Sequence, residues 1–220
     1  GRPESININN VSKVLTGNNG KPLFSNIVEG ANLFLTQEAR LKIEEQGIPV
    51  LKDASANKGG VTSSSMEVLA ALALVDEEHQ EHMCVKDGVA PKFYGDYVKE
   101  TQKRIEDNAR DEFECIWNEH QISGRPMCVL SDAVSAKINA LNQTITESSL
   151  WSNPKTKQKV LEEAIPKLLL DLIGLDKVVE RVPEAYIAAL LSAHLASRYV
   201  YAYGLAPGEF SFYEFMQKYN

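Results

Sequence analysis

Two strand-to-helix junctions follow each other closely in the first third of the chain, and they constrain the fold more than any other feature. In the second junction a short apolar run ends at Asp53, a polar loop with two glycines follows, and a helix opens with the hydroxyl residues 62–65. In the first junction an apolar run ends near Val28, and a small polar turn at residues 29–32 leads toward a helix. Ligands of α/β folds bind where parallel strands end and helices begin. The pair of junctions therefore predicts one ligand held across the carboxyl ends of two adjacent strands.

The alternation of strands and helices over residues 1–75 predicts an α/β fold with a parallel sheet. Residues 26–29 and 48–51 are short and apolar enough to form buried strands. Between them, Thr36 is placed to cap a helix that Gly47 ends. Strands joined through a helix pair in parallel with a right-handed crossover.

Residues 76–220 are predicted to be helical, so the fold class is α/β followed by all-α, with a domain boundary at residue 75. Apolar residues recur at spacings of three, four and seven, and prolines and glycines mark the ends of the segments. The predicted elements are a turn at residues 17–20, an exposed acidic loop or frayed turn at 76–86, a long helix that begins at Pro91 and ends at Gly124, a helix over 130–146 capped by Ser131, a helix opened by Asn153 and Pro154 and interrupted at Pro166, and a helix that begins at Pro183 and ends at Gly204.

Charge and cysteine content argue against several function classes. The net charge is −7 and basic residues do not cluster, which argues against nucleic acid and anionic membrane surfaces as main partners. Cys84, Cys115 and Cys128 are odd in number and lack CxxC spacing, which predicts free, mostly buried thiols in a reducing intracellular compartment. We expect that compartment to be the cytoplasm rather than the mitochondrion. The apolar residues 185–204 are long enough to span a bilayer, but they include Arg198, so a buried helix is predicted instead.

Small and amide-bearing side chains at the two junctions are candidate ligand contacts. Gly30 and Ala31 are small enough to let a flat ligand lie against the backbone. Asn32 in the first loop and Asn57 in the second offer a donor and an acceptor to a ribose hydroxyl or a carboxamide. A plain turn favours the same residue types. From spacing alone, a ligand site and a plain turn are therefore equally favoured.

The hydroxyl run at residues 62–65 is the second candidate site. It supplies four successive hydroxyls, although a helix N-cap needs only one. Side chains on a helix point about 100° apart, so one or two hydroxyls are able to face a cleft while the others cap. A nearby base that would turn one of them into a nucleophile is missing. The run therefore predicts a site for an anionic substrate group rather than covalent catalysis.

Other polar residues have structural interpretations. Lys52 and Asp53 end the second predicted strand, and an ion pair or a cap is favoured over a catalytic role. His79 and His82 lie at helical spacing beside acidic residues, where a solvated acidic turn is favoured over a weak zinc site.

Taken together, the two junctions resemble the glutamate dehydrogenase family. The chain reads Val-Glu-Gly-Ala-Asn at residues 28–32 and Asn-Lys-Gly-Gly-Val-Thr-Ser-Ser at residues 57–64. In that family, Glu-Gly-Ala-Asn and Asn-x-Gly-Gly-Val-Thr-x-Ser segments end successive strands of the nucleotide-binding domain. With Gly-Arg-Pro-Glu-Ser-Ile-Asn-Ile-Asn at its start, the chain looks like the large NAD-specific glutamate dehydrogenases of fungi and related eukaryotes. The match is dense over residues 1–75 and thin over 76–220.

The resemblance assigns roles to individual side chains. It implies that Asn32 contacts the dinucleotide NAD, that Asn57 lies near the nicotinamide ribose, and that Ser64 binds the side-chain carboxylate of L-glutamate or 2-oxoglutarate. Relatives that act on leucine or phenylalanine carry an apolar residue where Ser64 stands, which would leave a buried carboxylate unpaired. The predicted cofactor-binding residues are therefore Asn32, Asn57, Gly30 and Ala31, and Ser64 is the predicted substrate-binding residue.

The resemblance also implies how much of the enzyme this chain represents. Residues 1–75 correspond to the C-terminal half of a doubly wound, Rossmann-like dinucleotide-binding domain. The family's catalytic lysine and aspartate belong to an N-terminal substrate domain, and its G-x-G-x-x-G fingerprint lies earlier in the nucleotide domain; no segment here matches either. We therefore expect the chain to be the C-terminal part of a longer, homo-oligomeric enzyme, to hold no catalytic residue, and to be inactive alone.

A non-catalytic alternative fits the same sequence. The long predicted helices permit an oligomerisation or regulatory module whose nucleotide-binding half is vestigial. Normal glutamate affinity after Ser64→Ala in the whole protein would favour this alternative. Loss of subunit association without loss of catalysis after deletion of residues 76–220 would assign the helices to assembly.

Overall fold

The computed structural model describes residues 2–17 and 21–219, and these residues form a mostly helical chain with one small parallel sheet. Residues 18–20 of the predicted turn lie outside the described residues. In chain order the elements are α1 (Ser12–Leu15), β1 (Ile27–Val28), α2 (Gln37–Glu44), β2 (Val50–Leu51), α3 (Asp53–Ala56), α4 (Gly59–Ala73), α5 (Asp76–His82), α6 (Lys92–Ser123), α7 (Met127–Thr146), α8 (Pro154–Ala164), α9 (Lys167–Ile173), α10 (Leu175–Arg181), α11 (Glu184–Tyr203) and α12 (Ser211–Met216), with 3₁₀ turns at Ser149–Ser152 and Gln217–Tyr219.

The sheet forms where the sequence predicts it. β1 and β2 pair in parallel, with Ile27 opposite Val50 and Val28 opposite Leu51. The connecting helix α2 has the predicted cap, because the Thr36 hydroxyl accepts a hydrogen bond from the Ala39 amide. The parallel pair supports the α/β class for this part of the chain, whereas the doubly wound half-domain stays a prediction.

The chain forms two compact units, each with its own buried residues. The first comprises Gly1–Lys58, Ala109–Lys137 and Tyr201–Ala206, and the second comprises Gly59–Asn108, Ile138–Val200 and Pro207–Asn220. The division of the protein into domains at residue 75 stays a prediction. In the first unit the helix α2 packs on the sheet through a cluster made of Val11, Leu35, Ala39, Ile43, Ile48 and Val50. In the second unit the fully buried side chains include Leu69, Leu161, Ile165, Leu169, Ile187, Leu191 and Leu195.

The acidic segment 76–86 was predicted to be an exposed loop or a frayed turn, but it contains the helix α5. Its first turn carries Asp76, Glu77 and Glu78, and negative charge is favourable near the positive end of the helix dipole. The Glu78 carboxylate also accepts hydrogen bonds from the Val75 amide, at 3.1 Å, and from Arg181, at 2.6 Å. The bond from Arg181 lowers the pKa of Glu78, so this carboxylate stays charged where it caps the helix.

The helix α7 begins three residues before the predicted start, because its cap is a remote side chain. Glu44 accepts from the Met127 amide at 2.7 Å and from the Cys128 amide at 3.1 Å. Ser131, predicted to be the cap, lies inside the helix and is fully buried, with its hydroxyl 2.5 Å from that of Ser55. Helix α6 ends as predicted before Gly124, whose φ of +66° suits a residue without a Cβ.

The prolines in the helical part act as predicted. Pro154 is the first residue of α8, and the Asn153 side chain caps this helix by accepting from two amides. Pro166 separates α8 from α9, and Pro183 precedes α11, which ends before Gly204 at φ +71°. Gly174 adds a break that the sequence did not predict, since its φ of +79° separates α9 from α10. None of the helices in the described residues is both long enough and apolar enough to cross a membrane.

Cys84, Cys115 and Cys128 are thiols, and no disulfide joins cysteines in the part of the chain that the structure describes. Burial raises the pKa of Cys115 to about 11 and that of Cys128 to about 12. Both thiols are therefore protonated at neutral pH and serve as small core side chains rather than nucleophiles.

Candidate functional site

The carboxyl ends of β1 and β2 lie side by side in the first compact unit. The Glu29 amide donates to the Leu51 carbonyl at 3.0 Å, which extends the pairing one residue beyond β1. The loops that follow the two strands therefore start at the same edge of the sheet, as predicted from the two junctions.

A buried ion triad ties the two loops together. Arg40 of α2 donates to both oxygens of Glu29, at 2.6 and 3.1 Å, and lies 3.4 Å from Asp53. All three residues are less than a tenth exposed. Burial alone would lower the pKa of Arg40, but its hydrogen bond to Glu29 and the two neighbouring carboxylates raise that pKa overall. The guanidinium is thus a fixed positive charge between the strand ends.

The same carboxylates also bind the backbone of the first loop. Asp53 accepts from the Leu33 amide at 2.7 Å, and Glu29 accepts from the Leu35 amide at 3.2 Å. The ion pair predicted for Asp53 is present, and the preference for this role over a catalytic one stays a prediction. Lys52 also forms an ion pair, with Asp132 at 2.6 Å.

Asn32 and Asn57 meet at this edge. The Asn57 side-chain N–H donates to the Asn32 side-chain oxygen at 2.7 Å, across 25 residues of sequence, and both side chains are exposed. The bond uses one N–H of Asn57 and leaves its carbonyl oxygen and the NH₂ group of Asn32 available to a ligand. The structure thus brings together the two amides that the sequence singled out.

Gly30 and Ala31 line a cavity beside β1. The cavity measures about 570 Å³ and is mostly apolar, with Phe24, Ile27 and Phe34 among its walls. A Cβ added at Gly30 would meet no atom within 4 Å. Packing inside the chain therefore does not require this glycine, and its bare backbone faces open space.

Lys58, which follows Asn57, is held by a residue that sequence reasoning missed. The Lys58 ammonium lies 2.5 Å from Glu112 of α6, and the Tyr201 hydroxyl donates to the same carboxylate oxygen at 2.6 Å. Glu112 is 1 % exposed. A signal was available in the sequence, since position 112 lies one helical turn before the apolar residue Ile116, which is buried.

Arg40 was also missed, for a similar reason. It lies on the buried face of α2 with Ala39 and Ile43. A charge at an inward helical position signals a buried ionic partner, although sequence spacing does not show which one.

The hydroxyl run belongs to the second compact unit and differs from the prediction in one respect. The helix α4 begins at Gly59, three residues before Thr62, so the hydroxyls lie in its first turns and not at its cap. Ser63 and Ser65 donate to the carbonyls of Gly60 and Val61. Ser64 is exposed, and within residues 2–17 and 21–219 its hydroxyl has no hydrogen-bond partner.

The histidines of α5 have ordinary contacts. His79 Nδ1 lies 3.6 Å from Cys84 Sγ, and the His82 ring packs near that of Phe93. In the part of the chain that the structure describes, no group of three or more His, Cys, Asp or Glu residues is arranged to hold a metal ion.

Comparison with known proteins gives a consistent set of relatives. A family model described as Glutamate/Leucine/Phenylalanine/Valine dehydrogenase matches residues 1–124. The chain is 57% identical over 217 residues to "Glutamate dehydrogenase 2" of Dictyostelium discoideum, covering 99% of this chain and 21% of that protein. It is 52% identical to "NAD-specific glutamate dehydrogenase" of Neurospora crassa, with 99% and 21% covered, and 44% identical to the protein of the same name in Saccharomyces cerevisiae, with 98% and 20% covered.

The chain thus spans about a fifth of the length of the curated relatives it matches. No solved structure matches it.

Proposed function

This chain belongs to the Glutamate/Leucine/Phenylalanine/Valine dehydrogenase family, and on that basis we propose that it forms part of a longer NAD-dependent glutamate dehydrogenase. The proposed reaction converts L-glutamate, water and oxidised NAD to 2-oxoglutarate, ammonia and reduced NAD. The names of the relatives, two of them NAD-specific, support this choice of substrate and cofactor.

The observation that carries the proposal is the hydrogen bond between Asn57 and Asn32. The resemblance implies dinucleotide contacts for both residues, which lie 25 positions apart, and their amides meet at 2.7 Å where the two parallel strands end. A crevice beyond the carboxyl ends of parallel strands is where α/β folds bind nucleotides. A plain turn would explain each asparagine separately, but it would not explain why the two side chains meet.

The residues at this edge fit NAD. The bare backbone at Gly30 faces open space, which permits a close approach by a flat ring or a ribose. Asn57 retains an acceptor and Asn32 retains donors for ribose hydroxyls or the carboxamide. The triad of Glu29, Arg40 and Asp53 fixes the two loops, so the amides are held in place before the cofactor binds.

In the proposed reaction NAD, when bound, accepts the hydride from the α-carbon of glutamate. The residues of this chain bind and orient. Asn32 and Asn57 orient the nicotinamide riboside, and the Ser64 hydroxyl donates to the side-chain carboxylate of the substrate. The exposed, unpartnered hydroxyl of Ser64 supports this role, because the hydroxyls of Ser63 and Ser65 are already bound to their own helix. We propose no catalytic acid or base in this chain.

We further propose that the whole protein is a homo-oligomer. Phe113 and Trp117 stack on an exposed face of α6 with their ring centroids 6.1 Å apart, and both side chains are more than a third exposed. Large aromatic residues on a surface are typical of protein–protein contacts.

The test compares Ser64→Ala with Asn57→Ala in the longer protein. Ser64→Ala should raise the KM for glutamate about 10- to 100-fold, the loss of a hydrogen bond to a charged group, and leave the KM for NAD unchanged. Asn57→Ala should raise the KM for NAD and leave that for glutamate unchanged. Steady-state kinetics with each substrate varied in turn measures both.

Ser63→Ala is the matched control. It removes a neighbouring hydroxyl that bonds to Gly60, so it should change neither KM. An unchanged KM for glutamate in Ser64→Ala would contradict the substrate-binding role of Ser64. An active Asn57→Ala variant with an unchanged KM for NAD would contradict the proposed cofactor site.

A further inference from the structure

Glu112 is a buried carboxylate whose presence packing alone does not explain. It is 1 % exposed, one oxygen accepts from Lys58 and Tyr201, and the other oxygen has no hydrogen-bond partner among the described residues. Removing a carboxylate from water is unfavourable unless it is fully paired. An apolar side chain at the same position is often as stable as a buried ion pair or more stable.

The partner of Glu112 lies inside the candidate cofactor loop. Lys58 directly follows Asn57 and precedes Gly59, the first residue of α4. Asn57 and Lys58 are the two residues between α3 and α4, and α4 starts with two glycines, which stabilise a helix less than other residues do. The ion pair of Lys58 restricts this turn, because its ammonium lies 2.5 Å from the buried carboxylate of Glu112 on α6.

Asn57 is thus held from two sides. Its side chain donates to Asn32 in the neighbouring loop, and its backbone is continuous with the anchored Lys58. The family pattern Asn-x-Gly-Gly leaves position 58 open, so a lysine matched by a buried carboxylate is a feature of this chain and not of the pattern.

We propose that Glu112 is a positioning residue for the cofactor site: by holding the Lys58 ammonium it fixes the turn that presents the Asn57 amide to NAD. This inference rests on the proposed function. It differs from a purely structural role, since a structural ion pair would change stability without changing affinity for the cofactor. It also differs from direct contact between Lys58 and NAD. In that case substitution of Lys58 would raise the Kd for NAD more than substitution of Glu112 would.

The experiment is a double-mutant cycle in the longer protein, with Glu112→Gln, Lys58→Met and the two combined. Each single variant should raise the Kd for NAD, measured by titration calorimetry, about five- to tenfold, the loss of one neutral hydrogen bond. The KM for NAD should rise by a similar factor, and the KM for glutamate should stay unchanged. The combined variant should be no weaker than either single variant, because both changes release the same turn.

The controls separate positioning from folding. Glu114→Gln, on an exposed position of the same helix, should leave the Kd for NAD unchanged. Only the Glu112 side chain of this pair is buried, since that of Lys58 is 41% exposed. If a single variant does not fold, the combined variant still decides the question, because it leaves neither a buried unpaired carboxylate nor an unpaired ammonium. Lys58→Arg keeps the charge and should restore most of the affinity lost in Lys58→Met.

The outcomes distinguish this inference from the proposed function. A folded, active protein whose Kd for NAD is unchanged in Glu112→Gln and in the combined variant would overturn the positioning role and leave the proposed function standing. A larger loss in Lys58→Met than in Glu112→Gln would also overturn it, in favour of direct contact. An unaltered protein that shows no glutamate-dependent reduction of NAD would overturn both.

Discussion

Arg40 shows how much of the candidate site depends on one side chain. Its guanidinium pairs with both Glu29, which directly follows β1, and Asp53, which lies two residues after β2. Without it, two carboxylates would lie buried at neighbouring strand ends with no opposing charge. The sequence shows three charged residues at separate positions, and only the fold reveals that they form one network.

At this scale we predict that Arg40→Met destabilises the protein strongly. Removing one partner of a buried ionic network leaves uncompensated charge, so the free energy of unfolding should fall by about 3–5 kcal/mol. Urea denaturation followed by circular dichroism measures the change. A loss below about 1 kcal/mol would mean that the triad does not hold the loops together.

Lys42→Met is the matched control, since Lys42 lies on the same helix and pairs with Glu45 at the surface at 3.0 Å. Both side chains of that pair are about half exposed. An exposed pair of this kind contributes about 0–1 kcal/mol, so this variant should unfold close to the unaltered protein.

The helices show which element boundaries can be predicted from the sequence alone. Asn153 and Pro154 start α8 as predicted, because the cap and the first residue of the helix are adjacent in the chain. Helix α7 begins after Pro126 and helix α9 begins after Pro166. A proline side chain has no hydrogen-bond acceptor, so neither proline is able to cap its helix. Their caps are carboxylates from distant segments, Glu44 for α7 and Glu100 for α9.

At the element scale we predict that Glu100→Ala weakens the start of α9. Glu100 accepts from the Lys167 amide at 2.5 Å and from the Leu168 amide at 3.0 Å. Loss of a helix cap lowers the free energy of unfolding by about 1–2 kcal/mol. Hydrogen exchange should locate the effect, with faster exchange at the amides of residues 167–170 than in the unaltered protein.

Glu106→Ala provides the comparison, because Glu106 is an exposed residue of the same helix α6. It should leave exchange at residues 167–170 unchanged. Equal effects of the two substitutions would show that the Glu100 cap contributes nothing specific to α9.

At the scale of the whole molecule, this chain spans about a fifth of the length of its relatives, and in the proposed function it contributes binding residues and no catalytic acid or base. We therefore predict that the purified 220-residue chain shows no glutamate-dependent reduction of NAD, whereas the longer protein does. The absorbance of NADH, recorded at equal molar concentrations of the two, provides the measurement. Reduction by the short chain above the rate without glutamate would contradict the proposed division of roles.

Sequence by itself determined the features that depend on neighbours in the chain. These are the parallel strand pair and its helical crossover, the proline and glycine boundaries of α6, α8 and α11, and the residue types of the candidate site. Each follows from local backbone preference or from a side chain within a few positions, so a short window of sequence contains the cause. The resemblance added the roles of Asn32, Asn57 and Ser64, which stay predictions.

Only the tertiary structure decided the contacts between distant segments. It brought Asn57 into hydrogen-bond contact with Asn32, placed Arg40 between two carboxylates, and paired Glu112 with Lys58. It also distinguished Ser64 from its neighbours, whose hydroxyls bond to the helix backbone. The physical reason is that buried charges and caps take whichever partner the fold brings within about 3 Å, and that partner is fixed by packing rather than by spacing along the chain.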